Sequence, residues 1–458
     1  MPKLVSTNPA KNYELVGEVS VSTASEIAEN VKKAQATKEA WKELGVKKRV
    51  ELMKPIVEEF EGRQGEVAQI ITKEVGKPIR QSRDEVRGYI GDFKWFIENV
   101  ESSLAEQVTF EDEKSLHKMV HEPSGVAAVI TPWNFPFGMA VWGIVPNLLV
   151  GNTVVFKTSE ECPLLGKVVE EIFLNHDLPD GVFAEVYGNG NVGEQLAKSD
   201  INLIWFTGSS KTGGFLYKIA ADKFVKVILE MGGSNPGIVF EDVDIEKAAN
   251  IMADARLLNC GQDCSAVKRL LVEESIYKEF IPHLKKTFKS KVIGSPDDEK
   301  TDVGSLVAKR QLELLEGQVN DSLDKGAKIV YQAKLPKNLK GAFYPLTILN
   351  NIDKDMRVWR EEVFGPVLSV VPFKTEEEAV EFANDTIYGL GSRIISNDKE
   401  KIDRVASKIE AGTVEVNKGD RWLLCNPYGG YKNSGMGIEH GTRGFQELCR
   451  VKIIAYSK

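Results

Sequence analysis

Apolar and polar positions change their rhythm twice along this chain. From Thr23 to about Leu104 the apolar residues recur at helical spacing. Thr23–Leu44 is rich in Ala, Glu and Lys. Lys47–Gly76 continues with Leu52, Ile56, Val57 and Phe60 on one face, and Asp84–Leu104 follows. These stretches predict three amphipathic helices. From about residue 107 the texture becomes short apolar runs: Val126–Ile130, Thr153–Phe156, Phe183–Tyr187, Leu203–Phe206 and Val225–Leu229. Helical segments such as Leu164–Asn175 and Val192–Ser199 lie between them. Apolar strands alternating with helices predict a parallel α/β sheet, covered on both faces. After about residue 232 the alternation resumes. Gly237–Phe240, Leu270–Val272, Val367–Pro372 and Ser392–Ile395 read as strands, and Ile245–Asn259 and Ile276–Phe288 as helices. Val451–Tyr456 reads as a terminal strand. The expected fold class is α/β, with two doubly wound lobes and a ligand cleft between them.

Composition narrows this picture. The 458 residues suggest roughly two to four domains. With 42% hydrophobic and 28% charged residues the chain is globular rather than disordered. Net charge is 59 − 67 = −8, so no general attraction for nucleic acid or anionic lipid is expected. The most apolar run, Val126–Gly151, contains Pro132, Pro136 and Pro146 with Asn134 among them. It reads as a strand, a turn and a buried helix, not a membrane span. No apolar secretory segment is visible at the N-terminus, so a soluble, cytoplasmic protein is expected. Five cysteines without a CxxC pair make neither a disulfide scaffold nor a zinc site. His117 and His121 lie in a strand-like stretch, so no metal is expected.

Two glycine turns compete for a nucleotide phosphate. Gly188, Gly190 and Gly193 fit G-x-G-x-x-G between a strand and a helix. Gly208-Ser209 through Gly213 is a second glycine turn opening a second helix, and either turn could present N–H groups to a phosphate. Spacing alone leaves the two even. Lys211 follows Ser210 rather than a glycine, which argues against a P-loop. Cys264 lies in a polar, glycine-containing break before a strand, where a thiol can be reached and ionised. Glu230 ends an apolar strand beside Gly232-Gly233, where burial would raise its pKa toward general-base use. Asn134 lies in a turn stiffened by Pro132 and Pro136, and its amide could donate to an oxyanion. Each of the three also has a bland reading: a packed cysteine, a solvated glutamate and a turn asparagine.

Taken together the segments resemble the aldehyde dehydrogenase superfamily over nearly the whole chain. The resemblance is carried by Pro132-Trp133-Asn134-Phe135-Pro136, Phe156-Lys157-Thr158-Ser159-Glu160, Phe206-Thr207-Gly208-Ser209, Leu229-Glu230-Met231-Gly232-Gly233, Gly261-Gln262-Asp263-Cys264, Glu361-Glu362-Val363-Phe364-Gly365-Pro366 and Tyr428-Gly429-Gly430-Tyr431-Lys432-Asn433-Ser434-Gly435. It implies a Rossmann-like cofactor lobe, a catalytic lobe and a small β oligomerisation element. The implied limits are 1–106 and 125–232 with 434–447 for the cofactor domain, 233–433 for the catalytic domain, and 107–124 with 448–458 for the oligomerisation strands. Cys264 would be the nucleophile, Asn134 an oxyanion donor and Glu230 the base that activates water for thioester hydrolysis. The same resemblance assigns the cofactor to Trp133, Lys157, Glu160, Gly208, Ser209, Gly213, Glu362 and Phe364, which makes Gly188-Gly190-Gly193 a decoy. A carboxylate at Glu160 implies NAD over NADP.

Within the superfamily the chain looks most like the bacterial succinate-semialdehyde dehydrogenases. The implied function is NAD(P)-dependent oxidation of an aldehyde to its acid, with succinate semialdehyde the leading substrate. Phe137, Trp142, Arg256 and Arg421 are the pocket candidates, joined by Met139 and Trp422. Trp142 stands where those enzymes commonly carry a carboxylate-clamping arginine, which keeps neutral medium-chain or aromatic aldehydes in contention. A CoA-acylating enzyme and a catalytically idle binding protein of the same fold also stay open. A homodimer or homotetramer is expected.

Overall fold

The structure, a computed structural model, describes residues 2–419 and 423–458. The chain opens with a hairpin, β1 (Lys3–Asn8) and β2 (Glu14–Ser20), that the apolar rhythm does not announce. Four helices follow: α1 (Ala24–Glu43), α2 (Gly45–Gly62), α3 (Gln64–Val75) and α4 (Ile79–Ser103). Thr23 and Glu26 form a reciprocal capping box at the start of α1. The single helix expected over Lys47–Gly76 is thus two helices. The chain leaves helical geometry at Arg63 (φ −104°, ψ 11°), whose guanidinium bonds Glu59, Glu66 and Glu171. Next come β3 (Gln107–Glu111) and β4 (Ser115–Pro123).

The first sheet is built from β5 (Val126–Ile130), α5 (Pro136–Val150), β6 (Thr153–Lys157), α6 (Pro163–Leu174), β7 (Phe183–Glu185), α7 (Gly190–Lys198), β8 (Leu203–Thr207), α8 (Ser210–Lys223) and β9 (Lys226–Glu230). Every residue of α5 is buried, as expected for the apolar run that continues from β5. The second sheet is built from β10 (Asn235–Val239), α9 (Ile245–Leu257), β11 (Val267–Glu273), α10 (Glu274–Ser290), α11 (Lys309–Asp324), β12 (Lys328–Gln332), β13 (Thr347–Asn350), α12 (Arg357–Arg360), β14 (Val367–Phe373), α13 (Glu376–Asn384), β15 (Tyr388–Gly389), β16 (Gly391–Ile395), α14 (Lys399–Ala406) and β17 (Thr413–Val416). The chain closes with β18 (Tyr431–Lys432), β19 (Gly435–Met436), α15 (Gly441–Glu447) and β20 (Cys449–Ser457).

Strand order in the first sheet is β19-β9-β8-β5-β6-β7, with β19 antiparallel and the rest parallel. The second runs β12-β13-β14-β11-β10-β16-β17, and only its edge strand β12 is antiparallel. These are two doubly wound sheets with covered faces, the α/β class that strand–helix alternation predicts. The short β15 pairs with β18 outside them. A separate antiparallel sheet, β20-β4-β3, joins distant stretches of chain. Its exposed apolar residues include Val108, Phe110, Val451 and Ile453. Among the described residues no helix is long and apolar enough to cross a membrane.

Candidate active site

The loop after α9 carries Cys264. Asn259, Cys260 and Gly261 take consecutive left-handed conformations (φ 49°, 60° and 76°) and reverse the chain. A side chain at Gly261 would strike the backbone of Gly365, so glycine is required there. The turn is tied to the segment between β5 and α5. Asn259 Nδ2 donates to the Asn134 carbonyl (2.7 Å) and the Gln262 carbonyl (3.1 Å), while Asn134 Nδ2 donates to the Gln262 carbonyl (3.2 Å). Buried Lys77 holds the Asn134 carbonyl from the other side at 2.8 Å and pairs with Glu85. Glu85 in turn accepts N–H groups of Phe137 and Gly138 at the start of α5, where a carboxylate meets the positive end of the helix dipole. Cys264 and Asn134 are therefore held against each other by bonds reaching three separate elements.

Lys268, fully buried, fixes the far side of the loop. Its ammonium donates to the carbonyls of Gly233 (2.5 Å) and Cys264 (2.8 Å) and to Glu362 Oε1 (2.9 Å). The Cys264 thiol is pushed up to about 12, first by burial and then by Asp263, with Lys268 opposing. The loop position suggests an ionised thiol; the surroundings instead keep it protonated near neutral pH. Deprotonation must come from a base.

Two cavities meet at this loop. The smaller, ≈ 280 Å³, is walled by Tyr89, Phe135, Met139, Trp142, Leu258, Leu390 and Tyr428, with Glu230, Asp84, Glu85, Asp92, Asp263 and Glu439 among them. The larger, ≈ 450 Å³, lies over the carboxyl ends of the first sheet, where open α/β sheets bind ligands. Cys264, Asn134, Thr207 and Met231 border both. Glu230 ends β9 with both carboxylate oxygens buried, and burial followed by the Glu439 charge, opposed by the Gly430 N–H, raises its pKa well above the usual range. Glu439, equally buried, is raised to about 8.

Trp133, Lys157, Glu160, Gly208, Ser209, Glu362 and Phe364 all line the larger cavity. Ser209 caps α8, its hydroxyl accepting from the N–H of Thr212 at 3.2 Å, so the helix N-terminus opens beside it. Lys157 is buried with its ammonium on the Thr158 carbonyl (2.9 Å). Glu362 accepts from the N–H of Gly233 at 3.0 Å as well as from Lys268, and the Phe364 ring meets Trp133 edge-on at 5.5 Å.

Several expectations are corrected here. Gly190 and Gly193, set aside as a decoy, line the same cavity as Gly208 and Ser209, because the two glycine turns face one cleft. Gly213 is not on the wall. It lies under the turn, where a side chain would strike Met231. Phe137 is fully buried core, edge-on to Phe60 at 5.2 Å, since the first turn of α5 directs it away from the cavity. Arg256 also lies outside the pocket. Its guanidinium donates to the carbonyls of Val267, Val363 and Gly365, joining α9 to two distant segments. Trp142 does line the smaller cavity, whereas Arg421 and Trp422 fall outside the described residues. Sequence reasoning missed Lys77, Glu85, Asp92, Lys268 and Glu439. No local signal separates Glu85 from the charged residues around it in α4, whereas Asp92 is a charged position in more apolar surroundings.

A reachable thiol between a nucleotide-type cleft and a smaller, aromatic-walled cavity, on two doubly wound sheets, defines a cofactor-dependent oxidoreductase working through cysteine. The chain belongs to the aldehyde dehydrogenase family, whose model matches residues 2–454. A Staphylococcus saprophyticus relative named an aldehyde dehydrogenase is 36% identical over 98% of this chain and 94% of its own. The fold is similar to an indole-3-acetaldehyde dehydrogenase of P. syringae in complex with NAD+ (TM-score 0.96, 32% identity, 100% of this chain and 93% of that one). It is also similar to a glyceraldehyde-3-phosphate dehydrogenase of Methanocaldococcus jannaschii complexed with NADP (TM-score 0.93, 34% identity, 99% of each chain). This protein is thus an NAD(P)-dependent enzyme that oxidises an aldehyde.

Proposed function

We propose that Cys264, Asn134 and Glu230 carry out this oxidation, and that the product is the free acid. The observation that carries this reading is the position of Cys264 and Asn134 on the wall shared by both cavities, with Glu230 on the smaller one. Cys264 Sγ attacks the aldehyde carbon, its proton passing to the buried carboxyl pair. The oxyanion accepts from Asn134 Nδ2 and the Cys264 N–H, giving a thiohemiacetal. The nicotinamide, when bound, supplies the acceptor for the hydride. Glu230 then takes a proton from water, which attacks the resulting thioester and releases the acid and the Cys264 thiolate. Acid formation without CoA tests the hydrolytic step. Its absence, with turnover restored by CoA, would favour acyl transfer to CoA instead.

The larger cleft suits a dinucleotide: two glycine turns, the capped start of α8, and Lys157, Glu160, Glu362 and Phe364 at its edges. Glu160 supports NAD over NADP, because a 2′-phosphate there meets like charge. Succinate semialdehyde, the substrate suggested by the resemblance, receives less support. The described wall of the smaller cavity carries no lysine or arginine to accept its carboxylate. An aldehyde without a carboxylate, such as a medium-chain or aromatic one, fits these walls better. A panel comparing kcat/KM decides it: succinate semialdehyde as the best substrate would reverse this preference.

For the rest of the molecule we propose the three-part division expected above. The β20-β4-β3 sheet would serve a homodimer or homotetramer, and the enzyme would work in a reducing cytoplasm, where Cys264 stays a thiol.

A further inference from the structure

The smaller cavity has a polarity that aldehyde oxidation alone does not explain. One stripe of α4, Asp84, Gly88 and Asp92, faces it at successive helical turns. Gly88 leaves open space between the two carboxylates, with nothing within 4 Å of where a side chain would begin. Asp92 is oriented by the Trp142 indole N–H, which donates to its Oδ2 at 2.7 Å. The Tyr89 ring stands edge-on to Trp142 at 5.2 Å, with Tyr428 at 6.4 Å on another side. Among the described residues no lysine or arginine lines this cavity, although Arg87 pairs with Asp84 at 2.9 Å and Lys77 with Glu85, which leaves Asp92 as the stripe's carboxylate without a cation. Buried Glu439 also borders it, with one oxygen unbonded.

Carboxylates beside aromatic faces attract a positive charge and repel a negative one. Asp92 lies seven residues, roughly 10 Å, along α4 from Glu85, whose carboxylate marks the Asn134 end of the cavity. A short aldehyde held at Cys264 would therefore present its far end near Asp92. We propose that the cavity selects an aldehyde carrying an ammonium group at the end remote from the carbonyl, with Asp92, Trp142 and Tyr89 receiving that group. This inference rests on the aldehyde-oxidising reading and names its substrate class.

The test measures kcat/KM of the full chain, with NAD and with NADP, for γ-trimethylaminobutyraldehyde, its uncharged tert-butyl isostere and succinate semialdehyde. The first pair differs only in charge. The expected result is a preference for the cation over the isostere of about tenfold or more, with succinate semialdehyde the poorest. Asp92→Asn keeps an acceptor for Trp142 but removes the charge, so the ratio falls toward one. Tyr89→Leu removes an aromatic face beside Trp142, lowers the ratio in the same direction and serves if the first variant folds poorly. A wild-type ratio at or below one, or a ratio that Asp92→Asn leaves unchanged, overturns the inference while aldehyde oxidation stands. No turnover of any of the three overturns this inference, whereas the aldehyde-oxidising reading falls only if a wider panel of neutral aldehydes is also left unoxidised.

Discussion

Replacing Glu439 with glutamine tests how the two buried carboxyls share the work of a base. Both lie in the smaller cavity, and burial raises both. The Glu439 charge raises Glu230 further. Two such groups titrate as a pair, so apparent values belong to both. With Glu439 raised to about 8, about a tenth of the molecules have lost that proton at pH 7 and about nine tenths at pH 9. Where water activation limits turnover, kcat should rise with pH as the pair gives up its first proton. In Glu439→Gln the like charge is gone, Glu230 ionises at lower pH, and the midpoint of the profile moves down. The assay is acid formation at saturating aldehyde and cofactor from pH 6 to 9.5. A flat wild-type profile, or a midpoint that the substitution leaves in place, refutes the reasoning.

The same pair predicts a stability effect of definite sign. Each folded-state pKa lies above the usual 4.5, so the native state holds protons that the unfolded chain releases. Stability is therefore fully present below about pH 4.5 and falls as pH rises toward 8. Glu439→Gln should raise Tm at pH 8 and change it little at pH 5; an equal change at both values contradicts this. Cys264→Ala should abolish acid formation while cofactor binding, followed by fluorescence quenching, persists. Loss of binding would mean that the loop rather than the thiol is at fault. Arg256→Met leaves three buried carbonyls without their donor and should destabilise the fold by about 3 kcal/mol or more. A normal denaturation midpoint with a raised aldehyde KM would return Arg256 to the pocket. Glu160→Gln should raise kcat/KM for NADP relative to NAD, and an unchanged ratio would remove Glu160 from cofactor choice.

Much of this architecture is legible because the parallel strands are buried on both faces. β5, β6 and β8 therefore appear as unbroken apolar runs, and the helices between them keep the 3.6 period. The break at Arg63 is marked only by Gly62 and Gly65, two glycines inside an otherwise helical pattern, and ion pairs with residues on both sides hold it in place. The site divides in the same way. Cys264, Asn134 and Glu230 sit in turns or at a strand end whose local sequence makes them candidates beside a bland reading, and only the family resemblance singles them out. Arg256 looked available because its partners, Val363 and Gly365, lie about a hundred residues away. Glu439 and Lys268 acquire meaning only through packing: one lies against a second carboxyl, the other beneath the carbonyl of Cys264. Gly190 and Gly193 looked redundant because sequence cannot show that two turns border one cleft.

The sulfur on the wall between the two cavities is exposed to two chambers at once. A cofactor occupying the larger one would shield it from that side only. A compact electrophile entering through the aldehyde chamber should therefore inactivate the loaded enzyme as readily as the empty one. A substrate analogue in that chamber should protect the thiol even when no cofactor is present.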